Sequence, residues 1–235
     1  MTFRPLPVLT TLTLVSLAIL IALGVWQLQR REEKHALIAQ IETRSKSPPA
    51  PIEIVLAAGE TFAAHRQATA QGTFDHTKEV YVYAPRADGG PTRQGSKVVT
   101  PFALSAGGTI LVDRGWVEDD SPLVGIPEPD GEVAVQGVLR PSSSPGTFTP
   151  PSDPVERRFF IRDSAAIAKA AGVDLRTALI LEATVRLGRP EPLKQSLNIP
   201  DNHLNYALTW FSLALVLLVI YLRYHYLRGR LKFSR

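Results

Sequence analysis

The sequence predicts a membrane protein in which two transmembrane α-helices flank a mostly antiparallel β-domain, α+β in class and barrel-like, held outside the cytoplasm. Three features predict it. Two uncharged apolar runs sit near the ends of the 235-residue chain. The stretch between them is polar and reads as short strands punctuated by glycine and proline turns. A basic tail with no acid follows the second run.

The leading segment, residues 1–7, carries one charge, Arg4, and runs into a first span at 8–29. This span includes Leu14-Val-Ser-Leu-Ala-Ile-Leu-Ile-Ala-Leu-Gly24. A hydrocarbon core of about 30 Å takes about 20 apolar residues as a helix. The second span, residues 203–222, has a similar length. Each holds about eleven Leu, Ile, Val or Phe residues, and at roughly −0.3 to −0.6 kcal/mol apiece their sum outweighs the few hydroxyls and amides. A cleaved signal peptide is the alternative for the first run, with Ala22-Leu-Gly24 as a weak cleavage site. The run is long for a signal, and an amphipathic helix continues directly from it, so a span is expected.

Orientation follows from charge. Arg223, Arg228, Arg230, Lys232 and Arg235 fill the tail, residues 223–235, and hold it in the cytoplasm. Two spans return the N-terminus to the same side. Arg30, Arg31 and Lys34 argue the other way, but they stand among Glu32 and Glu33 and precede a long domain, where the bias counts less. The domain, residues 30–202, is then periplasmic in a bacterium, or in the intermembrane space of a mitochondrion. No Arg- and Ser-rich transit segment precedes the first span, which favours the bacterial cell inner membrane.

Within the domain, Gln29 to Thr43 reads as a helix leaving the membrane, with Leu37, Ile38 and Ile41 on one face. Ser45 to Pro51 breaks it with three prolines. Strands are expected at 65–74, 78–84, 97–104, 109–117, 132–140, 158–162 and 177–185, where β-formers alternate or cluster. Asp88-Gly-Gly90 and Ala106-Gly-Gly108 read as turns. A helix is expected at 164–171, with Asp163 as N-cap and Gly172 as stop. Arg189-Pro-Glu-Pro192 begins the return linker. Barrel closure would protect the sheet edges.

Composition excludes several functions. From Arg30 to Asp201 there are 20 basic and 22 acidic residues, so the domain carries −2 and the excess positive charge behind the net +4 resides at the ends. Nucleic-acid binding therefore lacks a basic reading surface, and membrane lipid is the partner the tail fits. Cysteine is absent. Covalent c-type haem attachment, thiol–disulfide exchange and copper handling by paired thiolates all require it. No Gly-x-Ser-x-Gly elbow surrounds Ser96 or Ser142 to Ser144, and there is no phosphate-cradling loop or His-Glu-x-x-His. Glu118-Asp119-Asp120 could hold a hard cation, but a solvated acidic loop is the simpler reading. No catalytic residue, enzymatic role or free metal ion is expected.

His35, His65, His76 and His225 are isolated in segments that read as exposed. His203 opens the second span, and Tyr206 and Trp210 continue its face at helical spacing. Beside them, Asn202, Asn205, Thr209 and Ser212 form a polar row. Lipid leaves amides and hydroxyls unsatisfied, so the row is expected to face protein, ligand or a pocket. On the first span, Thr13, Ser16 and Gly24 fall near one side and would let the helices approach closely. Antiparallel spans bring Gly24, Trp26 and Gln27 to the depth of His203 and Asn205. A neutral imidazole there could ligate haem iron. The plainer alternative is an interfacial histidine with Trp26, Tyr206 and Trp210 as aromatic anchors.

Four segments extend the reading. The first span ends Gly24-Val-Trp-Gln-Leu-Gln-Arg30-Arg-Glu-Glu-Lys34. Gly95-Ser-Lys-Val-Val-Thr-Pro-Phe102 and Ile110-Leu-Val-Asp-Arg-Gly-Trp-Val117 form a central strand pair. The second span opens Asn202-His-Leu-Asn-Tyr-Ala-Leu-Thr-Trp-Phe211. In this order, they resemble the signatures of the Surfeit-locus cytochrome c oxidase assembly factors. Two departures, Glu118 in place of a common proline and Phe160 in place of a common tryptophan, touch only surface or packing.

The resemblance implies a role in building the oxidase. Bacterial members are implicated in delivering haem a to the catalytic subunit of an aa3-type enzyme. His203 matches the histidine implicated as its iron ligand, the sole metal contact expected. Tyr206, Trp210, Gly24 and Trp26 carry over as pocket or helix-contact residues. The implied partners are the oxidase catalytic subunit and haem a synthase. A cofactor-free membrane scaffold that stabilises the nascent subunit is the alternative. An outside-facing sensor has only 13 residues after the second span for an output domain.

Overall fold

A computed structural model describes residues 2–87, 90–119, 128–188, 190–192 and 201–232. The elements in chain order begin β1 (Thr2–Phe3), α1 (Pro7–Ser45), β2 (Ala50–Pro51), α2 (Ile52–Ala57), α3 (Glu60–Ala63), β3 (Gln67–Phe74) and β4 (Val80–Tyr83). They continue β5 (Gly95–Leu104), β6 (Thr109–Glu118), β7 (Val133–Arg140), β8 (Arg158–Phe159), α4 (Ser164–Ala171), β9 (Leu175–Ala183), α5 (His203–Leu227) and β10 (Leu231–Lys232). The chain divides into a helical unit, residues 1–40 with 197–235, and a β-domain, residues 41–196.

In the helical unit, α1 and α5 are both long and apolar enough to cross a membrane. Their mutual face follows alternating steps of three and four residues. On α1 it comprises Thr10, Thr13, Leu17, Leu20, Gly24, Gln27, Arg31 and Lys34, all buried or half-buried. On α5 it comprises His203, Ala207, Trp210, Ala214, Leu217 and Tyr221. Such spacing keeps two helices in register along a seam, and the small residues Gly24, Ala207 and Ala214 let the backbones approach. Most other leucines, isoleucines and valines of both helices point outward.

At the ends of the chain, β1 pairs antiparallel with β10. This pairing brings Leu6 onto His225, whose Nδ1 donates to the Tyr221 carbonyl at 3.0 Å while Nε2 accepts from Leu6 N–H at 3.4 Å. His225 has no exposed surface. The expectation of a surface histidine is corrected, because its cover comes from the opposite end of the sequence.

In the β-domain, the sheet order β2-β3-β7-β9-β6-β5-β4-β8 closes through a further β3–β5 pairing. The result is a five-stranded barrel, β3-β7-β9-β6-β5. Its pairings are antiparallel except for β6 with β9. Gly72 is the corner. It ends the β3 register with β7 and begins that with β5, and a Cβ there would collide with the Ala103 carbonyl.

Both strands are buried on two faces at Ile110-Leu-Val112 of β6 and Leu179-Ile-Leu181 of β9, which explains the short apolar runs there. Ile110, Val112, Leu179 and Leu181 enter one core cluster with Phe102 and Leu139. Leu111 and Ile180 enter a second cluster with Val80, Val82, Val99, Phe159 and Ile167 of α4. Ile52 and Val55 of α2 and Ala63 of α3 join the first cluster.

The expected strands all appear, most with ends shifted by one to three residues; that at 158–162 shortens to Arg158–Phe159. The helix Ser164–Ala171 forms as expected, with Asp163 accepting from the Ala165 and Ala166 N–H groups and Gly172 left-handed at φ 62°. The Ala106–Gly108 turn forms, with Gly107 N–H donating to the Leu104 carbonyl at 2.9 Å. Asp88 and Gly89 of the other turn, Asp120, Arg189 and Arg235 lie outside the described residues.

Candidate functional site

The site lies in the helical unit, where α5 begins against the middle of α1. Asp201 caps the start, its Oδ1 accepting the His203 N–H at 3.0 Å. Its Oδ2 lies 2.7 Å from His35 Nε2 and 3.8 Å from Arg31 Nε, both on α1. The His203 N–H first, and the His35 ring with it, hold the Asp201 carboxyl below the usual aspartate range. One carboxylate thus ties the first residue of α5 to α1.

The His203 ring is held in turn. Its Nδ1 lies 2.8 Å from Gln27 Oε1. An amide oxygen only accepts, so Nδ1 carries the proton, and in the neutral ring Nε2 is the nitrogen that keeps its lone pair. Nε2 has no hydrogen-bond partner among the described residues. The residue lines a cavity of about 380 Å³ with Arg30, Glu33, Lys34 and Leu37. Arg30 is paired to Glu33 at 2.7 Å. The wall carries two cations, Arg30 and Lys34, and one carboxylate, Glu33.

The sequence-predicted residues separate here. Gly24 is buried and faces Phe211, where an added Cβ would sit 2.5 Å from Cε1, so it is a helix contact. Trp210 is half-buried on the same seam. Trp26 and Tyr206 are turned outward, 51% and 57% exposed, and do not line the cavity.

The polar row also departs from expectation. Asn205, Thr209 and Ser212 lie on the exposed side of α5 rather than against α1. Ala207 and Ala214 win the seam because they permit closer approach, and Thr209 satisfies its own hydroxyl by donating to the Asn205 carbonyl at 2.9 Å. On α1, Thr13 is buried but Ser16 is exposed.

The β-domain holds two charged clusters. Val98 pairs with Gly115 and Val99 with Asp113, which leaves Arg114 as the extra residue of a bulge. Gly115, at φ 125°, supplies the backbone this needs. The bulge sends Arg114 inward, with no exposure, among His76, Glu79, Glu128 and the Leu187 carbonyl. His76, Glu79 and Glu128 converge closely enough to hold a metal ion, but the guanidinium already supplies their cation. His76 is therefore half-buried in a network and not a surface histidine.

In the second cluster, Lys97 bridges Asp113 at 2.8 Å and Glu182 at 3.1 Å, joined by Arg162 and Arg140. His65 is half-buried beside Arg140, and burial together with Arg140, Arg44 and Arg162 lowers its pKa. Of the four histidines expected at the surface, only His35 is exposed.

Comparison with known proteins bears on the whole chain. Residues 14–215 match the SURF1 family. The chain belongs to the SURF1 family. Surfeit locus protein 1 of Mus musculus is 31% identical over 210 residues, covering 81% of this chain and 67% of the mouse protein. The human Surfeit locus protein 1 is 30% identical over 214 residues, covering 82% and 69%. A SURF1-like protein of Rickettsia conorii is 29% identical over 219 residues, covering 91% and 89%. SURF1 proteins are cytochrome c oxidase assembly factors.

The span matched to the SURF1 family contains Gly24, Trp26, His203, Tyr206 and Trp210. Sequence reasoning placed Gln27 at the depth of His203 but gave it no role. Its signal was available: Gln27 continues the three-four spacing from Thr13 through Leu17, Leu20 and Gly24, so a polar side chain occupies the seam.

Proposed function

We propose that this SURF1-family chain assists assembly of an aa3-type cytochrome c oxidase by binding haem a at the membrane and aiding its insertion into the catalytic subunit. The observation that carries the reading is the His203 ring, with Nε2 unpartnered among the described residues, at the wall of a cavity that Arg30 and Lys34 also line. A neutral imidazole nitrogen is a common axial donor to haem iron. Bound haem a would supply an iron centre for the His203 imidazole to hold and two propionate carboxylates. Arg30 and Lys34 suit carboxylates of that kind.

The cavity would enclose only part of such a ligand. Its volume of about 380 Å³ is near the lower end of the roughly 300–1,000 Å³ typical of small-molecule pockets. His203, Arg30 and Lys34 would hold haem a there only partly enclosed, which suits a carrier that must release what it holds. Haem a synthase is the donor in this scheme and the catalytic subunit the acceptor.

The setting is the inner membrane of a bacterium, with both termini cytoplasmic and the β-domain periplasmic. The basic tail supports this orientation, and the β1–β10 pairing supports placing β1 and β10 on the same side of the membrane as each other.

The outward-facing Trp26 and Tyr206 favour a second reading, a cofactor-free scaffold that offers this aromatic surface to membrane helices of the nascent subunit. One experiment separates the two. The full chain is purified from cells making haem a, and visible spectra are recorded for wild type and His203→Ala. A stoichiometric haem signal lost in the variant supports the carrier; a colourless wild type supports the scaffold.

A further inference from the structure

We infer that Gln27 is a positioning residue that sets the tautomer of His203 and so makes Nε2 the metal-binding nitrogen. This rests on the haem reading of the site and names the residue on which that reading depends. Free neutral histidine carries its proton mostly on Nε2, the wrong nitrogen for a ligand that must donate through it. Which ring nitrogen stays protonated is set by the hydrogen bond the other atoms make available. Here Gln27 Oε1, 2.8 Å from Nδ1, provides an acceptor and draws the proton to Nδ1.

The seam explains why the bond is held. Gln27 and His203 are both half-buried seam positions on facing helices. Gly24, one turn before Gln27, admits Phe211 and brings the helices close. Asp201 anchors the His203 backbone through its N–H at 3.0 Å, so the ring pivots from a fixed point. Both the main chain and the side chain of His203 are therefore tied, each by a separate group, and among the described residues Nε2 is left without a partner. Outer partners of this type typically change metal affinity by about 10–100-fold.

The ligand-free protein provides the first test. Full-length chain with ¹⁵N-labelled histidine, in detergent, reports each ring tautomer by NMR. Wild type should show His203 protonated at Nδ1. Gln27→Leu should shift it towards the Nε2–H form, while Gln27→Glu, which keeps an acceptor, should retain Nδ1–H. A wild-type ring already protonated at Nε2, or an unchanged ring in Gln27→Leu, overturns the inference.

Titration with haem a is the second test. Gln27→Leu should bind about 10–100-fold more weakly than wild type, with Gln27→Glu restoring most of the loss. Equal affinity in wild type and Gln27→Leu also overturns the inference. If His203→Ala binds haem a as wild type does, the haem reading fails instead, and the tautomer spectra still report whether Gln27 governs the ring.

Discussion

Arg114 Nη1 donates to Glu79 Oε2 across 2.7 Å from a side chain with no exposed surface. Its Nη2 meets Glu128 and the Leu187 carbonyl. Removing the cation leaves carboxylates facing one another without compensation. Arg114→Leu should destabilise the β-domain by about 3–5 kcal/mol. Arg114→Lys should recover little, because one ammonium cannot replace a planar fork of donors. Denaturant unfolding of the full chain in detergent, followed by tryptophan fluorescence, measures both.

The Lys97 cluster predicts a pH dependence. Burial raises the Glu182 pKa, but Lys97, Arg140 and Arg162 outweigh it and hold the carboxyl below its usual range. A lowered acid pKa gives stability that is present above the unfolded value, about 4.3, and is lost as pH falls through the folded one. Glu182→Gln should cost about 3–5 kcal/mol at pH 7, and its gap from wild type should close in acid. Asp113 runs the opposite way. Burial raises its pKa against the pull of Lys97, so its contribution falls as pH rises from the ordinary aspartate value through the raised one. Urea midpoints across pH for wild type, Glu182→Gln and Asp113→Asn should show opposite slopes.

Gly24 makes the helix pair sensitive to a single methyl group. Because a Cβ would lie 2.5 Å from Phe211 Cε1, Gly24→Ala should weaken the α1–α5 pairing by about 1–3 kcal/mol. A second change, Phe211→Ala, should reduce that penalty when the two are combined, since the pair shares the contact. Unfolding in graded SDS resolves single and double variants.

The proposed topology predicts which fusions work. A reporter active only outside the cytoplasm should function when joined after Pro150, in an exposed loop of the β-domain, and be silent when joined after Arg235. The reverse pattern would invert both spans.

The barrel strands were legible because β-formers and glycine turns mark them locally. The helix at Ser164–Ala171 was legible for the same reason, since Asp163 and Gly172 are its own neighbours. What escaped depends on distant partners. Ile52-Glu-Ile-Val-Leu-Ala57 is short and β-branched, and it becomes α2 where its Ile52 and Val55 pack into the first core cluster. Arg114 turns inward only because β6 carries one more residue than β5 at that point. His225 is covered by Leu6, 219 residues away. In the site, the spacing of the α1 seam already pointed to Gln27. The outward turn of Trp26 and Tyr206 followed from which face of each helix held the smaller residues.

The parallel β6–β9 pairing has a consequence for biogenesis. Among the described residues, strand β9 is the last barrel stave to be synthesised and the one that bridges β6 and β7. Until Leu175–Ala183 has emerged, two staves rich in valine and leucine present bare hydrogen-bonding edges. The nascent domain therefore stays open through most of its synthesis, closes late through contacts remote in sequence, and is most vulnerable to misassociation just before its final staple arrives.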